Sequence, residues 1–194
     1  MNLVDRAKNI ILKPKDEWNV IDQEDTSVTT LIVTYLFPLA LIPAIAAFIG
    51  YGVIGVAFFG PVLSWGIKQA IISFISTMVG VYISAMIIDI LAPNFGSTKD
   101  FRKTMQLVVY AYTPVMLAGA FQAIPVLGIL GIVGLYGLYL LYVGIKPMMK
   151  TPDDKVTVYF VVSLLVIIAV YVIIGAILTA ILIGKTYSAL PMMQ

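Results

Sequence analysis

The stretch TSVTTLIVTYLFPLALIPAIAAFIGYGVIGVAFFGPVLSWGI, residues 26–67, decides the fold class because none of its 42 residues is Asp, Glu, Lys or Arg. A helix crosses the hydrocarbon core of a bilayer with roughly 20 apolar residues, each adding about 1.5 Å of rise. Charged residues are also absent from 69–88, 104–145 and 156–184. These four stretches predict an all-α integral membrane protein.

The composition excludes several classes of protein. Of the 194 residues, 61% are hydrophobic and 11% are charged, whereas soluble domains are about 45–50% apolar and about 25% charged. The net charge of +2 is too small to indicate nucleic-acid binding. The chain has no Cys and no His, which excludes disulfides, thiolate nucleophiles and His-based catalysis. We expect no enzyme activity, no catalytic residue, no bound metal and no cofactor.

The uncharged stretches divide into five predicted spans. The stretches 69–88 and 156–184 hold one helix each, and 104–145 holds two, separated by a turn around Pro125. Residues 50–67 contain five glycines and Pro61, so we expect a non-spanning segment there: re-entrant, interfacial or a simple loop. The predicted spans are about 27–49, 69–91, 105–122, 126–146 and 156–184, within a membrane domain of residues 26–185.

The distribution of basic residues predicts the orientation. With five spans, the arm 1–25 and the loops 92–104 and 146–155 share one side of the membrane and carry ten of the twelve Lys and Arg residues. Basic residues favour the cytoplasmic side. We therefore expect a cytoplasmic N-terminus and a short tail, residues 186–194, outside.

The arm, residues 1–25, is predicted to form a short amphipathic helix. Leu3, Val4, Ala7, Ile10 and Ile11 follow helical spacing on one face, and the neighbouring charged residues lie away from it. Two interpretations stay open. The helix lies at the interface of the cytoplasmic leaflet, where it contacts anionic lipid headgroups, or it packs against the cytoplasmic loops.

Proline and glycine mark special positions within the predicted spans. Pro38 and Pro43 in the first span and Pro114 in the third each remove a backbone donor, which predicts kinks. The kinks indicate either broken helices around a transport site or ordinary packing. Four glycines of the fourth span recur every third residue and wind around half of an α-helix, which favours close packing within the chain or a homo-oligomer seam. They are Gly128, Gly131, Gly134 and Gly137.

Asp89 is the acidic residue within the predicted spans and lies about one turn from the cytoplasmic end of the second. An intramembrane carboxylate is a candidate functional group. One interpretation is a structural pair or an interface charge. The other is an ion or partner site in which Asp89 faces Tyr110 and Tyr112, with Tyr139 of the fourth span lining a polar cavity.

Several short stretches resemble prokaryotic proteins of the Yip family, named for Ypt/Rab-interacting membrane proteins. They are LKPKDEWNVI (12–21), LFPLALI (36–42), LAPNFGS (91–97) and YAYTP (110–114). The resemblance implies five spans, a cytoplasmic N-terminus and a short C-terminal end. The eukaryotic branch is associated with Rab GTPases and membrane shaping, but YAYTP lacks the two glycines of that branch's G-Y-G element. The resemblance therefore implies the fold and a membrane role rather than Rab binding.

Two functions follow from these observations. The first is a non-enzymatic protein of the prokaryotic inner membrane that organises the bilayer or binds a partner. The alternative is a small transporter or channel that uses Asp89 and the kinked first and third spans. Two observations count against the alternative: the predicted spans carry no charge at the midplane of the membrane, and the sequence shows no clear inverted repeat.

Overall fold

The computed structural model describes residues 2–55 and 62–188, with side chains as far as Ile173 except that of Pro125. Five helices in this part are long and apolar enough to cross a membrane, which confirms the five-span bundle. We number α1 and α2 in the arm and α3 to α7 for the spans. Their bounds are α1 Leu3–Leu12, α2 Pro14–Gln23, α3 Val28–Ile54, α4 Leu63–Phe95, α5 Phe101–Ala123, α6 Val126–Met149 and α7 Val156–Ser188.

The segment 50–67 differs from the prediction, because helix α3 continues through Ile54 and α4 begins at Leu63. Gly52 and Gly66 permit a close approach of the two helices. A Cβ atom on Gly52 would lie 3.0 Å from the Cα atom of Gly66, so only glycine fits at this crossing. Residues 56–61 of the predicted loop and 189–194 of the predicted tail lie outside the described residues.

The arm and both basic loops meet at one end of the bundle, which we call the arm end. Ser97 and Thr151 share a hydrogen bond of 2.8 Å between their hydroxyls, and the amide of Thr98 donates to the Met149 carbonyl at 2.8 Å. Lys150 pairs with Asp22 of the arm. The opposite end, where α3 meets α4 and α5 meets α6, is called the far end.

Helix α5 is the centre of the bundle, and its residues from Thr104 to Ala111 are all buried. It contacts α3, α4 and α6, and the arm contacts α5 and α6. The α-helical pattern breaks at Tyr112, directly before Thr113 and Pro114. In α3, a π-helical turn at Ile32–Leu36 precedes Pro38, whereas Pro43 lies within the regular part Phe37–Ala47.

The first half of α6, Pro125–Leu135, is a 3₁₀-helix rather than the expected α-helix. A 3₁₀-helix has 3.0 residues per turn, so positions three apart eclipse one another. Gly128, Gly131 and Gly134 therefore stack on one face and do not wind around the helix. A Cβ on Gly134 would lie 3.3 Å from the Val115 Cα, whereas Gly128 and Gly131 have open space within 4 Å.

Candidate functional site

The arm folds into two short helices because each has a local start signal. The side chain of Asn2 accepts a hydrogen bond of 2.8 Å from the amide of Asp5, which caps α1. Pro14 occupies the first turn of α2, where no amide donor is needed, and Asp16 and Glu17 follow in the same turn. These signals fix where the helices begin, and Lys13 joins them.

Trp18 anchors the arm to the bundle. Its side chain is fully buried, and its indole N–H donates to the carbonyl of Leu140 in α6 at 3.1 Å. Gly144 makes room for the ring, since a Cβ there would lie 2.6 Å from the Trp18 ring. Through this contact the arm packs against the spanning helix α6, a neighbour that neither interpretation of the arm had named.

Arg6 lies at the centre of a buried ionic cluster, although the sequence pattern placed it on the outer face of α1. Its guanidinium donates to Glu17 at 2.6 Å and also pairs with Glu24, and it lies 5.3 Å above the ring of Tyr110. Arg6 and Glu17 are 4% and 5% exposed. The two carboxylates explain the burial, because they satisfy a charge that would otherwise be costly to desolvate. Val4 is exposed instead.

Two tyrosines extend this cluster into the bundle. The Tyr35 hydroxyl shares a hydrogen bond of 2.9 Å with the Thr113 hydroxyl. The rings of Tyr35 and Tyr110 pack edge to face with centroids 4.8 Å apart. The Tyr110 hydroxyl makes no hydrogen bond to any described residue, although Tyr110 is only 4% exposed. Its oxygen is nevertheless not one of the fully buried polar atoms that lack a partner, so it is accessible from its surroundings.

A cavity of about 410 Å³ lies beside the ionic cluster, between the arm, α3 and α5. We call it the polar cavity. Its wall is rich in groups that donate or accept hydrogen bonds, and these include side chains of Asn2, Arg6, Glu24, Thr26, Thr30 and Tyr110. It differs from the cavity beside Tyr112 described below, which is lined mostly by apolar side chains.

Gln106 lies one turn before Tyr110 on α5. It is fully buried, and neither its amide nitrogen nor its amide oxygen has a hydrogen-bond partner within the described part of the chain. Lys103, three residues earlier, donates to the carbonyls of Asp22 and Glu24. This row of polar residues on α5 therefore runs beside the arm.

Asp89 is buried but does not face Tyr110 or Tyr112. Its carboxylate accepts a long hydrogen bond of 3.4 Å from the Thr104 hydroxyl, and the same hydroxyl also donates to the Asp100 carbonyl at 3.0 Å. No ion pair among the described side chains includes Asp89. Beside it, the Tyr159 hydroxyl donates to the Ile88 carbonyl at 2.6 Å.

The other candidate tyrosines lie in two separate places. Tyr112 lines a mostly apolar cavity of about 320 Å³ between α4, α5, α6 and α7, to which Gly131 and Gly137 also contribute. Tyr139 is 43% exposed and lies beside Tyr136, with ring centroids 5.4 Å apart. The four candidate residues therefore do not form one site.

Sequence reasoning missed the ionic cluster because its members are separated along the chain. Arg6, Glu17 and Glu24 meet only once α2 has folded back on α1. One signal was present: Leu3, Arg6, Ala7 and Ile10 also follow i, i+3, i+4, i+7 spacing, a second helical face that includes the arginine.

A family model described as Yip1 domain matches residues 8–182, which is nearly the whole chain. The match includes most of the arm and the greater part of the bundle. No curated protein and no solved structure matches the chain.

Proposed function

Since the chain belongs to the Yip1 domain family, whose members are generally membrane proteins, we propose that it is a non-enzymatic protein that organises the membrane by binding lipids and a protein partner. The proposal rests on the observation that several polar side chains form hydrogen bonds between helices. Tyr35, Trp18 and Tyr159 each tie one helix to another. Asp89 and the candidate tyrosines do not meet at a shared polar site of the kind a transporter uses.

We propose that the arm end faces the cytoplasm. Ten of the twelve basic residues belong to the arm and its two neighbouring loops, and this bias is typical of cytoplasmic segments. A Cys added after Gln194 tests the orientation in intact cells. A membrane-impermeant thiol reagent should label it from outside, and protection from the reagent would contradict the orientation.

The outer surface of the arm supports contact with anionic lipid. Val4, Lys8 and Leu12 follow the spacing of one face of α1 and are exposed, and Lys13 and Lys15 just after α1 are exposed as well. We call these five residues the arm surface. Its three lysines form no ion pair with any described residue. Exposed apolar and basic side chains on one face favour a membrane whose headgroups are negative.

Reconstitution of the full chain into vesicles tests the lipid contact. We expect the wild type to enrich a labelled anionic phospholipid over a neutral one around itself. The triple variant Lys8→Gln, Lys13→Gln, Lys15→Gln should lose most of this preference, because each surface lysine contributes about 1 kcal/mol, a factor of about five.

The matched control is Lys146→Gln with Lys155→Gln, since these loop lysines already lie beside Asp153 and Asp154. The control should keep the preference. If both variants lost the lipid preference equally, the preference would depend only on the net charge of the protein, which would contradict a specific role of the arm surface. Solute flux through the same vesicles, lost in Asp89→Asn, would favour the transporter instead.

A further inference from the structure

The polar cavity opens beside the start of the first span. Thr26 lies two residues before the start of α3, and Thr30 and Thr34 lie in its first two turns. The start of a membrane-spanning helix lies at the level of the lipid headgroups. The cavity is about 410 Å³, which is within the range of pockets that bind small molecules. A headgroup therefore has both the access and the space to enter.

The wall of the cavity includes Tyr110, whose hydroxyl can take part in a further hydrogen bond. Tyr110 is 4% exposed, and its hydroxyl makes no hydrogen bond within the described ranges. By contrast, the neighbouring Tyr35 hydroxyl is satisfied by Thr113. The Tyr110 oxygen is not one of the fully buried polar atoms without a partner, so it is accessible from the cavity that Tyr110 lines and can hydrogen-bond to a ligand.

The charges of the wall favour a ligand that carries both signs. Arg6 and Glu24 are its charged members, and Glu17 lies behind Arg6. The guanidinium has five N–H donors and uses one toward each glutamate, so the remaining donors are available to a phosphate. Glu24 has a second carboxylate oxygen for an ammonium group. A headgroup that carries both signs therefore complements the cationic Arg6 and the anionic Glu24 of the wall.

We propose that the polar cavity binds the phosphoethanolamine group of a zwitterionic phospholipid, with the phosphate toward Arg6 and the ammonium toward Glu24 and Tyr110. The ammonium of ethanolamine donates three hydrogen bonds, which suits the carboxylate of Glu24 and the hydroxyls of Thr26 and Tyr110. The trimethylammonium of choline has no N–H donor. The cavity therefore prefers ethanolamine over choline headgroups.

The site deepens the proposed function, because it also rests on lipid binding, but it uses other residues than the arm surface and another class of lipid. The anionic preference of the arm surface is measured with charged lipid, and the cavity is measured with zwitterionic lipids alone. Each experiment can therefore fail while the other succeeds.

Binding to the full chain in nanodiscs tests the site. Native mass spectrometry of discs with equal amounts of phosphatidylethanolamine and phosphatidylcholine should show preferential retention of phosphatidylethanolamine. Tyr110→Phe removes the hydroxyl and keeps the ring packing against Tyr35, and it should lower this retention about tenfold, the value of one hydrogen bond to a charged group. Tyr139→Phe is the matched control and should retain the lipid like the wild type.

Equal retention of the two lipids, or equal retention by the two tyrosine variants, would overturn the proposal. Thermal melting of Tyr110→Phe should match that of Tyr139→Phe, which separates loss of the ligand from loss of the fold. Addition of free O-phosphoethanolamine tests whether the cavity binds the headgroup alone or needs the whole lipid. Competition by the free compound shows that the headgroup alone binds, and retention without competition shows that the acyl chains are also needed; either result with preferential retention supports the site.

Discussion

The two ends of the bundle are held together by different interactions. At the arm end, side-chain hydrogen bonds and ion pairs join helices that are distant in sequence, such as Trp18 to Leu140 and Arg102 to Asp25. At the far end, the described contacts are close approaches between backbones: Gly52 lies against Gly66, and Gly119 lies against Pro43. The first end is fixed by directional bonds and the second by shape.

This difference indicates which end can adapt. Hydrogen bonds and buried ion pairs require one geometry, so the arm end has few alternative arrangements. The far end contains the exposed 3₁₀ half of α6, where Val126 and Ile129 are 84% and 80% exposed. Apolar side chains there have lipid as a neighbour, and lipid accepts many arrangements. We therefore expect substitutions to destabilise the arm end more.

Trp18→Ala should have the largest effect on stability. It removes a fully buried ring and the hydrogen bond to Leu140, and truncation of a buried aromatic side chain costs about 3–5 kcal/mol. Because Trp18 joins the arm to α6, amides of α1 and α2 should exchange with deuterium much faster than in the wild type. Hydrogen exchange of the full chain in detergent measures this.

The control for the arm is Val20→Ala, since Val20 lies on the same helix but is 46% exposed. It should leave exchange in α1 nearly unchanged. If the amides of the arm exchanged no faster in Trp18→Ala than in Val20→Ala, the arm would be held by its ion pairs alone. Trp18 would then not support the difference between the two ends.

A pair of glycine substitutions at the far end should have a smaller and more selective effect. A Cβ on Gly119 would lie 3.2 Å from the Cα and closer still to the ring of Pro43, whereas Gly131 has open space within 4 Å. Gly119→Ala should therefore destabilise the chain by about 1–3 kcal/mol, the cost of overpacking. Gly131→Ala should be neutral.

Melting temperatures of the two alanine variants in the same detergent check the prediction. Equal melting would contradict the close contact of α5 with α3. Loss of stability in Gly131→Ala alone would indicate that its open face is covered by a second copy of the chain, which is the oligomer seam considered for these glycines.

The bundle was predictable from the sequence because its main signals are local. Absence of charge identifies spans over windows of about 20 residues, and the turn near Pro125 separates α5 from α6. The stacking of Gly128 and Gly131 was not predictable, because the choice between 3₁₀ and α hydrogen bonding depends on how α6 packs on α5. The local sequence pattern predicted an α-helix because it is the commoner of the two helix types.

The candidate site was less predictable because it depends on helix rotation. One of the two interpretations of Asp89 placed it against Tyr110, but Asp89 faces Thr104, whereas Tyr110 faces Tyr35 and Arg6. A sequence gives the depth of each residue in the membrane more reliably than the neighbour it faces. The burial of Arg6 likewise required the fold of the whole arm.

Asp89→Asn should have the smallest effect on stability. The carboxylate has a single hydrogen bond, 3.4 Å long, from Thr104, and no cation within ion-pair distance among the described side chains. An amide keeps the volume and an acceptor oxygen for Thr104, so melting should change by less than the equivalent of about 1 kcal/mol. Arg6→Gln is the contrasting variant, because Glu17 is a buried carboxylate that does have an ion pair. Loss of this cation should lower the free energy of unfolding by about 3–5 kcal/mol. A loss of stability in Asp89→Asn as large as that in Arg6→Gln would contradict this prediction. It would mean that the charge of Asp89, like that of Glu17, has a binding partner.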